Sequence, residues 1–233
     1  MRKKQEKISD LREKLCELFD CLTTEEQEQL EKRITVQTYK KNAVLYHEGE
    51  RPNQLFCLLS GKVKVYKEGA GGRNQTMRLM KPVEYFGFRA YVTGEEFITA
   101  ASAIDISVIA KVPLSFLVDL IKKNNKLAWF IIQKLAKALG QADERTVNLT
   151  QKHIRARLAE SLLFLKDSYG LEEDGCTLSI YMSREDLANL SNMTTSNAIR
   201  TLSTFANEKL VAIDGRKIKL INEKELQNIS KSG

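Results

Sequence analysis

The chain has 233 residues, 29% of them charged and 42% hydrophobic, a balance that fits a folded globular protein and excludes an intrinsically disordered one. Lys and Arg number 37 against 30 Asp and Glu, a net charge of +7, which suits a polyanionic partner. No apolar run approaches the roughly 18 residues needed to cross a bilayer, and the opening MRKKQEKISDLREKL lacks the apolar centre of a signal peptide, so a cytoplasmic protein is expected.

Residues up to about 33 read as helical, with Thr23 three positions before Glu26 in a capping-box spacing. From Val36 to Val112 the character changes to short β-rich runs broken by Gly49, Gly61, the GAGG of Gly69 to Gly72, Gly87 and Gly94. In GKVKVYK strict alternation puts Val63 and Val65 on one face and Lys62, Lys64 and Tyr66 on the other. Many short strands with glycine turns predict an antiparallel barrel or roll. Cys16, Cys21, Cys57 and Cys176 have no repeating spacing, so reduced thiols are expected rather than a disulfide framework or a four-ligand metal site.

After Pro113 the pattern turns helical. In NKLAWFIIQKLAKALGQADERTVNLT, the residues Leu127, Ile131, Leu135, Leu139 or Ala138, Ala142 and Leu149 recur at three- or four-residue steps, as one side of a long helix should. Trp129, Phe130 and Ile132 widen that stripe beyond what one sheet would cover, so a homodimer through this helix is expected. Between Lys122 and Arg157 nine basic residues face only Asp143 and Glu144.

The remainder reads as a helix HIRARLAESLLFLKDSYG, a polar turn, a short strand TLSIYM, two helices and a hairpin. Ser183 and Asp186 give a capping spacing, Asn192 and Met193 a turn, and Thr194 the cap of a helix running to about Glu208. On that helix Ala198, Leu202 and Phe205 share one side, and Ser196, Arg200 and Ser203 the other. A helix, a tight turn and a second helix with short polar arms form a helix-turn-helix, whose second helix enters the major groove of DNA. Arg200 would hold guanine, while Thr194, Thr195 and Asn197 near the helix start would contact phosphate or base edges. Asp214-Gly215 marks a hairpin whose Arg216, Lys217 and Lys219 make a basic wing.

Three segments carry a resemblance across nearly the whole chain. GERPNQLFCLLSGKVKVYKEG, EYFGFRAY and SREDLANLSNMTTSNAIRTLSTFANEKLVAIDGRKIKL are similar to the roll, the ligand-facing segment and the DNA-binding region of the Crp/Fnr family of bacterial transcription regulators. The resemblance implies an α+β protein in three parts: an effector-binding β-roll with an N-terminal helix at 1–122, a dimerisation and linker helix at 123–150, and a winged helix-turn-helix at 151–233. It implies a homodimer on a palindromic operator, with RNA polymerase as a further partner. It places Thr195, Ser196 and Arg200 at the family's three base-reading positions, of which only the arginine is kept.

The resemblance also puts a small-molecule effector site at Gly87, Phe88, Arg89, Ala90, Thr99 and Ala142. Members that bind cyclic AMP carry a Glu where Phe88 stands, an Arg-Ser pair where Ile98-Thr99 stand, and a Thr-Ser pair at Ala142-Asp143, so an effector other than cyclic AMP is expected. Neither the cysteine spacing of an iron-sulfur member nor an evident haem ligand beyond His47 and His153 is present, and the cofactor stays unknown. No catalytic constellation is evident: two distant histidines cannot furnish a cupin-type metal site, and GAGG lacks the Lys and helix of a phosphate loop. The alternative is a cyclic-nucleotide-type module that acts through protein partners without touching DNA.

Overall fold

The computed structural model describes residues 11–69, 72 and 74–231; the opening residues 1–10, the two middle residues of the GAGG turn, residue 73 and the last two residues lie outside them. The chain divides into two compact units, residues 1–67 with 78–140 and residues 68–77 with 141–233.

In the first unit α1 (Cys16–Phe19) and α2 (Thr24–Arg33) precede the strands. The predicted capping box forms: Thr23 Oγ1 accepts from the Glu26 amide at 3.3 Å, and Glu26 Oε2 accepts from the Thr23 amide at 2.9 Å. The roll follows as β1 (Thr35–Tyr39), β2 (Val44–Tyr46), β3 (Gln54–Ser60), β4 (Val63–Glu68), β5 (Asn74–Met80), β6 (Tyr85–Phe86), the short helix α3 (Arg89–Thr93), β7 (Ala100–Ala103) and β8 (Ser107–Pro113). Two four-stranded sheets result, ordered β1-β8-β3-β6 and β2-β7-β4-β5.

Between the sheets lies a core rich in aromatic rings. Tyr46 stacks on Phe97 with centroids 3.9 Å apart, and Phe56 on Phe86 at 5.3 Å; Leu58, Val63, Val65, Met80 and Ile109 fill the rest. Strand β3 is buried on both faces, which is why QLFCLL reads as an unbroken apolar run rather than an alternating one. Its Leu55, Cys57 and Leu59 meet Leu15, Leu18 and Leu30 from the helical side. In β4 the alternation predicts that Tyr66 faces solvent with the lysines. Instead Tyr66 is buried, and the Lys64 ammonium lies 5.5 Å from its ring centroid, within the range of a cation–π contact.

The helical stretch after Pro113 is two helices, α4 (Leu114–Ile121) and α5 (Asn125–Gln151). Asn124 explains the break: its Oδ1 accepts from the Leu127 amide at 3.0 Å and so caps α5, while its Nδ2 donates to the Cys21 carbonyl and to Glu26. Along α5 only Leu127, Phe130 and Ile131 are buried. The predicted stripe therefore splits, and Leu139, assigned to its packed side, is 63% exposed, as Trp129 is at 61% and Ile132 at 51%. The boundary between the two units falls inside α5, after Gly140.

The second unit contains α6 (Ile154–Tyr169), α7 (Arg184–Leu190), α8 (Thr195–Asn207), the hairpin β9 (Val211–Asp214) and β10 (Lys217–Leu220), and α9 (Glu223–Lys231). Leu158, Leu162 and Leu165 of α6 are buried with Leu187, Leu202, Phe205 and Leu226. The strand predicted at TLSIYM does not form as one. Only isolated bridges join Leu178 to Leu171 and Thr177 to Lys219, because the stretch is held by a turn: Asp174 accepts from the Thr177 hydroxyl at 2.6 Å and from the amides of Thr177 and Cys176. Those three donors, the Thr177 hydroxyl foremost, hold the Asp174 carboxyl well below its ordinary range.

Candidate nucleic-acid interface

The helix pair that sequence marks as a helix-turn-helix is assembled by short-range polar chemistry. Ser183 caps α7 by accepting from the Asp186 amide at 3.0 Å, and Thr194 caps α8 by accepting from the Asn197 amide at 3.2 Å. Between them Asn192 takes the left-handed conformation, φ +50°, which asparagine tolerates better than other residues with a side chain. The Met193 amide then bonds the Ala188 carbonyl at 3.0 Å. Behind the turn the Ser191 and Ser161 hydroxyls, both buried, share a 2.8 Å bond that fixes it against α6.

On α8 the two faces are sharply different. Ala198, Leu202 and Phe205 are each no more than 1% exposed, whereas Thr195, Ser196, Ile199, Arg200 and Ser203 all face solvent. Four of the predicted contacts are engaged within the helix itself. Thr194 is spent on the cap, and Asn197 Oδ1 accepts from Arg200 Nη2 at 2.7 Å, so Asn197 positions the guanidinium. Ser203 turns its hydroxyl back to the Ile199 carbonyl at 3.0 Å. Arg200 also borders an open depression shared with Ile154, Arg155, Thr201 and Thr204. Arg155 is held there by Glu208 through its two terminal nitrogens, Nη1 and Nη2, and its guanidinium carbon lies 4.9 Å from the Phe205 ring centroid. That pairing keeps the Glu208 carboxyl below its ordinary range.

The wing is less basic than its sequence suggests. Arg216 and Lys217 are exposed at the hairpin turn, but Lys217 pairs with Glu172 at 3.7 Å and Lys219 with Asp174 at 3.3 Å. Lys217 also sits 5.4 Å from the Tyr181 ring centroid. Sequence reading passed over Arg184, whose Nη2 donates to the Gly215 carbonyl at 2.7 Å and ties the wing turn to the start of α7. Arg145 counts in the sequence only as one of the nine basic residues between Lys122 and Arg157, for a physical reason: its Nη2 donates to the carbonyls of Thr76 (2.6 Å) and Leu190 (2.8 Å), which lie 69 and 45 positions away.

Of the effector positions, Gly87 to Ala90 stand together at the start of α3. Gly87 has φ +85°, and a Cβ there would come within 2.6 Å of the Phe56 ring, so only glycine fits. Phe88 and Ala90 are buried in the cores on either side. Arg89 points outward, donating to Glu95 at 2.9 Å. Thr99 shares a hydrogen bond with the Tyr46 hydroxyl, whose pKa burial pushes up to about 12. Ala142 is exposed on α5, in the other unit. Cys57 is buried and its thiol is likewise pushed up to about 12 by burial. His47 and His153 are both exposed, and among the described residues no cluster of three or more His, Cys, Asp or Glu is placed to hold a metal.

Known proteins share this architecture. Residues 36–124 match the family model of the cyclic nucleotide-binding domain, and residues 156–229 that of the Crp-like helix-turn-helix domain. The chain is similar to the fumarate and nitrate reduction regulatory protein of Vibrio cholerae, 25% identical over 82% of this chain and 76% of that protein. It is also similar to the global nitrogen regulator of Nostoc sp., 23% identical over 78% of this chain and 83% of that one. Among solved structures it resembles FixK2 from Bradyrhizobium japonicum, with a TM-score of 0.76 and 25% identity over 84% of this chain and 96% of that chain. With an N-terminal roll that matches the cyclic nucleotide-binding domain, a long helix and a C-terminal helix-turn-helix in one polypeptide, the chain belongs to the Crp/Fnr family of DNA-binding transcription regulators.

Proposed function

We propose that two copies of this protein, joined through α5, read a palindromic operator by laying a pair of α8 helices in successive major grooves, in the bacterial cytoplasm and in contact with RNA polymerase. The observation that carries this is the division of α8: the row Ala198, Leu202 and Phe205 is fully buried, and what the helix offers outward is slim polar side chains with one arginine and one isoleucine, Ile199. A groove about 12 Å wide accepts such a helix and matches it with base-edge donors and acceptors. Thr195, Ser196 and Arg200 are the base-reading residues in this reading, Asn197 orients Arg200, and Arg216 and Lys217 hold phosphate. Supporting the dimer is the apolar set Trp129, Ile132, Leu139 and Val147, each 49% exposed or more along one helix, a surface that single soluble subunits seldom leave open.

The effector is not cyclic AMP in this reading. The place of the ribose-binding carboxylate is taken by a buried Phe88, Arg89 pairs with Glu95, and Thr99 bonds Tyr46, so neither the carboxylate for the ribose nor the arginine for the cyclic phosphate stands in its family place. The test is selection of binding sites from a random duplex pool with the full chain, followed by Arg200→Ala. A bidentate arginine contributes about 1–3 kcal/mol of base discrimination, so the variant loses roughly fivefold or more in affinity and relaxes one base position per half-site. Undiminished preference at every position would reject the register.

A further inference from the structure

Ile199 has no place in the polar face just described. It is 48% exposed, and among the described residues of α8 it is the one large apolar side chain left in water. The core beneath the helix is already closed by Ala198, Leu202 and Phe205, so packing does not call for it. Helix propensity does not either, since a β-branched residue is a poorer helix former than the Ala or Leu that would serve an exposed position. At about 100° per residue its side chain projects between those of Thr195 and Ser203, inside the arc that contains Ser196 and Arg200. Its branched Cβ restricts χ1 to essentially one rotamer in a helix, so its Cγ2 methyl is held in a fixed place on the exposed face between Thr195 and Ser203.

The major groove has one apolar feature, the C5 methyl group of thymine, and small apolar side-chain surfaces are what recognise it. Resting on the reading of α8 as the helix that enters that groove, we propose that Ile199 is a specificity-determining residue that selects a thymine through its C5 methyl, in the same half-site as the guanine held by Arg200. Thr195 and Ser196, whose hydroxyls accept or donate to many bases, contribute register, and Ile199 with Arg200 contributes the choice of base.

Deoxyuridine lacks that methyl and otherwise pairs as thymine does, so it isolates the contact. In the operator obtained by selection, each thymine is replaced in turn by deoxyuridine, and the affinity of the full chain is measured by fluorescence anisotropy at fixed salt. One replacement per half-site weakens binding roughly fourfold, the loss that one methyl group fewer in contact represents. With Ile199→Ala that sensitivity disappears while sensitivity at the guanine is kept; because the position is exposed and alanine favours helix, the variant folds, and thermal unfolding verifies it. Three results overturn the proposal: a selected half-site without thymine, indifference of the unsubstituted chain to deoxyuridine everywhere, or an Ile199→Ala variant as sensitive as its parent. Selection that yields no preferred sequence at all rejects the DNA-reading role of α8 itself, and a preferred sequence with no methyl dependence rejects only the role of Ile199.

Discussion

Arg145→Ala tests how the reading head is held. The Arg145 guanidinium is largely buried, burial pulls its pKa below the ordinary value, and only the more distant Glu160 pulls the other way. Its Nη2 bonds two carbonyls, that of Thr76 on a strand residue 1% exposed and that of Leu190 at the end of α7. Leu190 is a last-turn residue whose carbonyl has no partner within the helix. Each bond from a charged donor is worth about 1.5–3 kcal/mol, and each carbonyl left dry and unpaired costs about 1–3 kcal/mol. Against this stands relief: Arg145 Nε has no partner among the described residues, and a buried cation costs several kcal/mol to desolvate. The net expectation is about 2–3 kcal/mol of stability lost, concentrated in the second unit, with α7 loosened at its C-terminal end. Amide hydrogen exchange reads this segment by segment, which a chain of two units requires: protection falls in α7 and around the Asn192 turn and is unchanged in β3 and β8. Arg145→Met, which keeps the apolar stem and removes the charge, recovers part of the loss. A change below about 0.5 kcal/mol in Arg145→Ala, or an equal fall in protection throughout the chain, would refute the clamp.

Two further outcomes concern the faces assigned to self-association and to phosphate. Trp129→Lys combined with Leu139→Lys puts like charges on the open apolar side of α5 and raises the dimer dissociation constant by roughly thirtyfold or more, as loss of a central anchor does; sedimentation at several concentrations measures it, and an unaltered dimer would place the seam elsewhere. Lys217→Ala weakens binding to all sequences alike and lowers the salt slope by about one. Glu172→Gln, by releasing Lys217, strengthens non-specific binding at low salt by less than about fivefold, the ceiling for an exposed ion pair, and a base-selective effect of either change contradicts a phosphate role.

How far the sequence could be read depended on the range of the interactions involved. Caps are local, and Thr23, Ser183 and Thr194 each sit where the sequence placed them, three residues before the amide they accept from. The helix-turn-helix followed from the same signals plus the apolar row of α8. Periodicity was weaker where an element touches two surroundings. Leu139 satisfies a helical repeat equally well whether it meets this subunit or another, and only burial separates the cases; Tyr66 alternates with valines but is buried beside Lys64. At TLSIYM a β-rich composition conceals the turn chemistry of Asp174, which takes two backbone amides that a strand ladder could use, those of Cys176 and Thr177, together with the Thr177 hydroxyl. Ile199 was overlooked through grouping by polarity, though its place on the wheel was visible.

The same distinction governs what the charge of this chain can do. The nine basic residues between Lys122 and Arg157 suggest a strip laid out for DNA, yet several are occupied. Lys134 pairs with Glu17 and lies 4.9 Å from the Phe130 ring centroid; Lys152 pairs with Glu160 and Arg155 with Glu208; Arg145 and Arg157 donate to backbone carbonyls. A cation beside a carboxylate adds little to the field a phosphate feels beyond a Debye length of about 8 Å in physiological salt. Even the wing lysines are half neutralised by Glu172 and Asp174. Binding that leans weakly on counterion release owes a larger share of its free energy to direct contact, and here that means a few side chains on α8. On the proposed reading, discrimination by such a helix is therefore less sensitive to salt than the net charge suggests and more sensitive to single atoms at its surface, with the guanidinium of Arg200 and the methyl groups of Ile199 as the groups to test first.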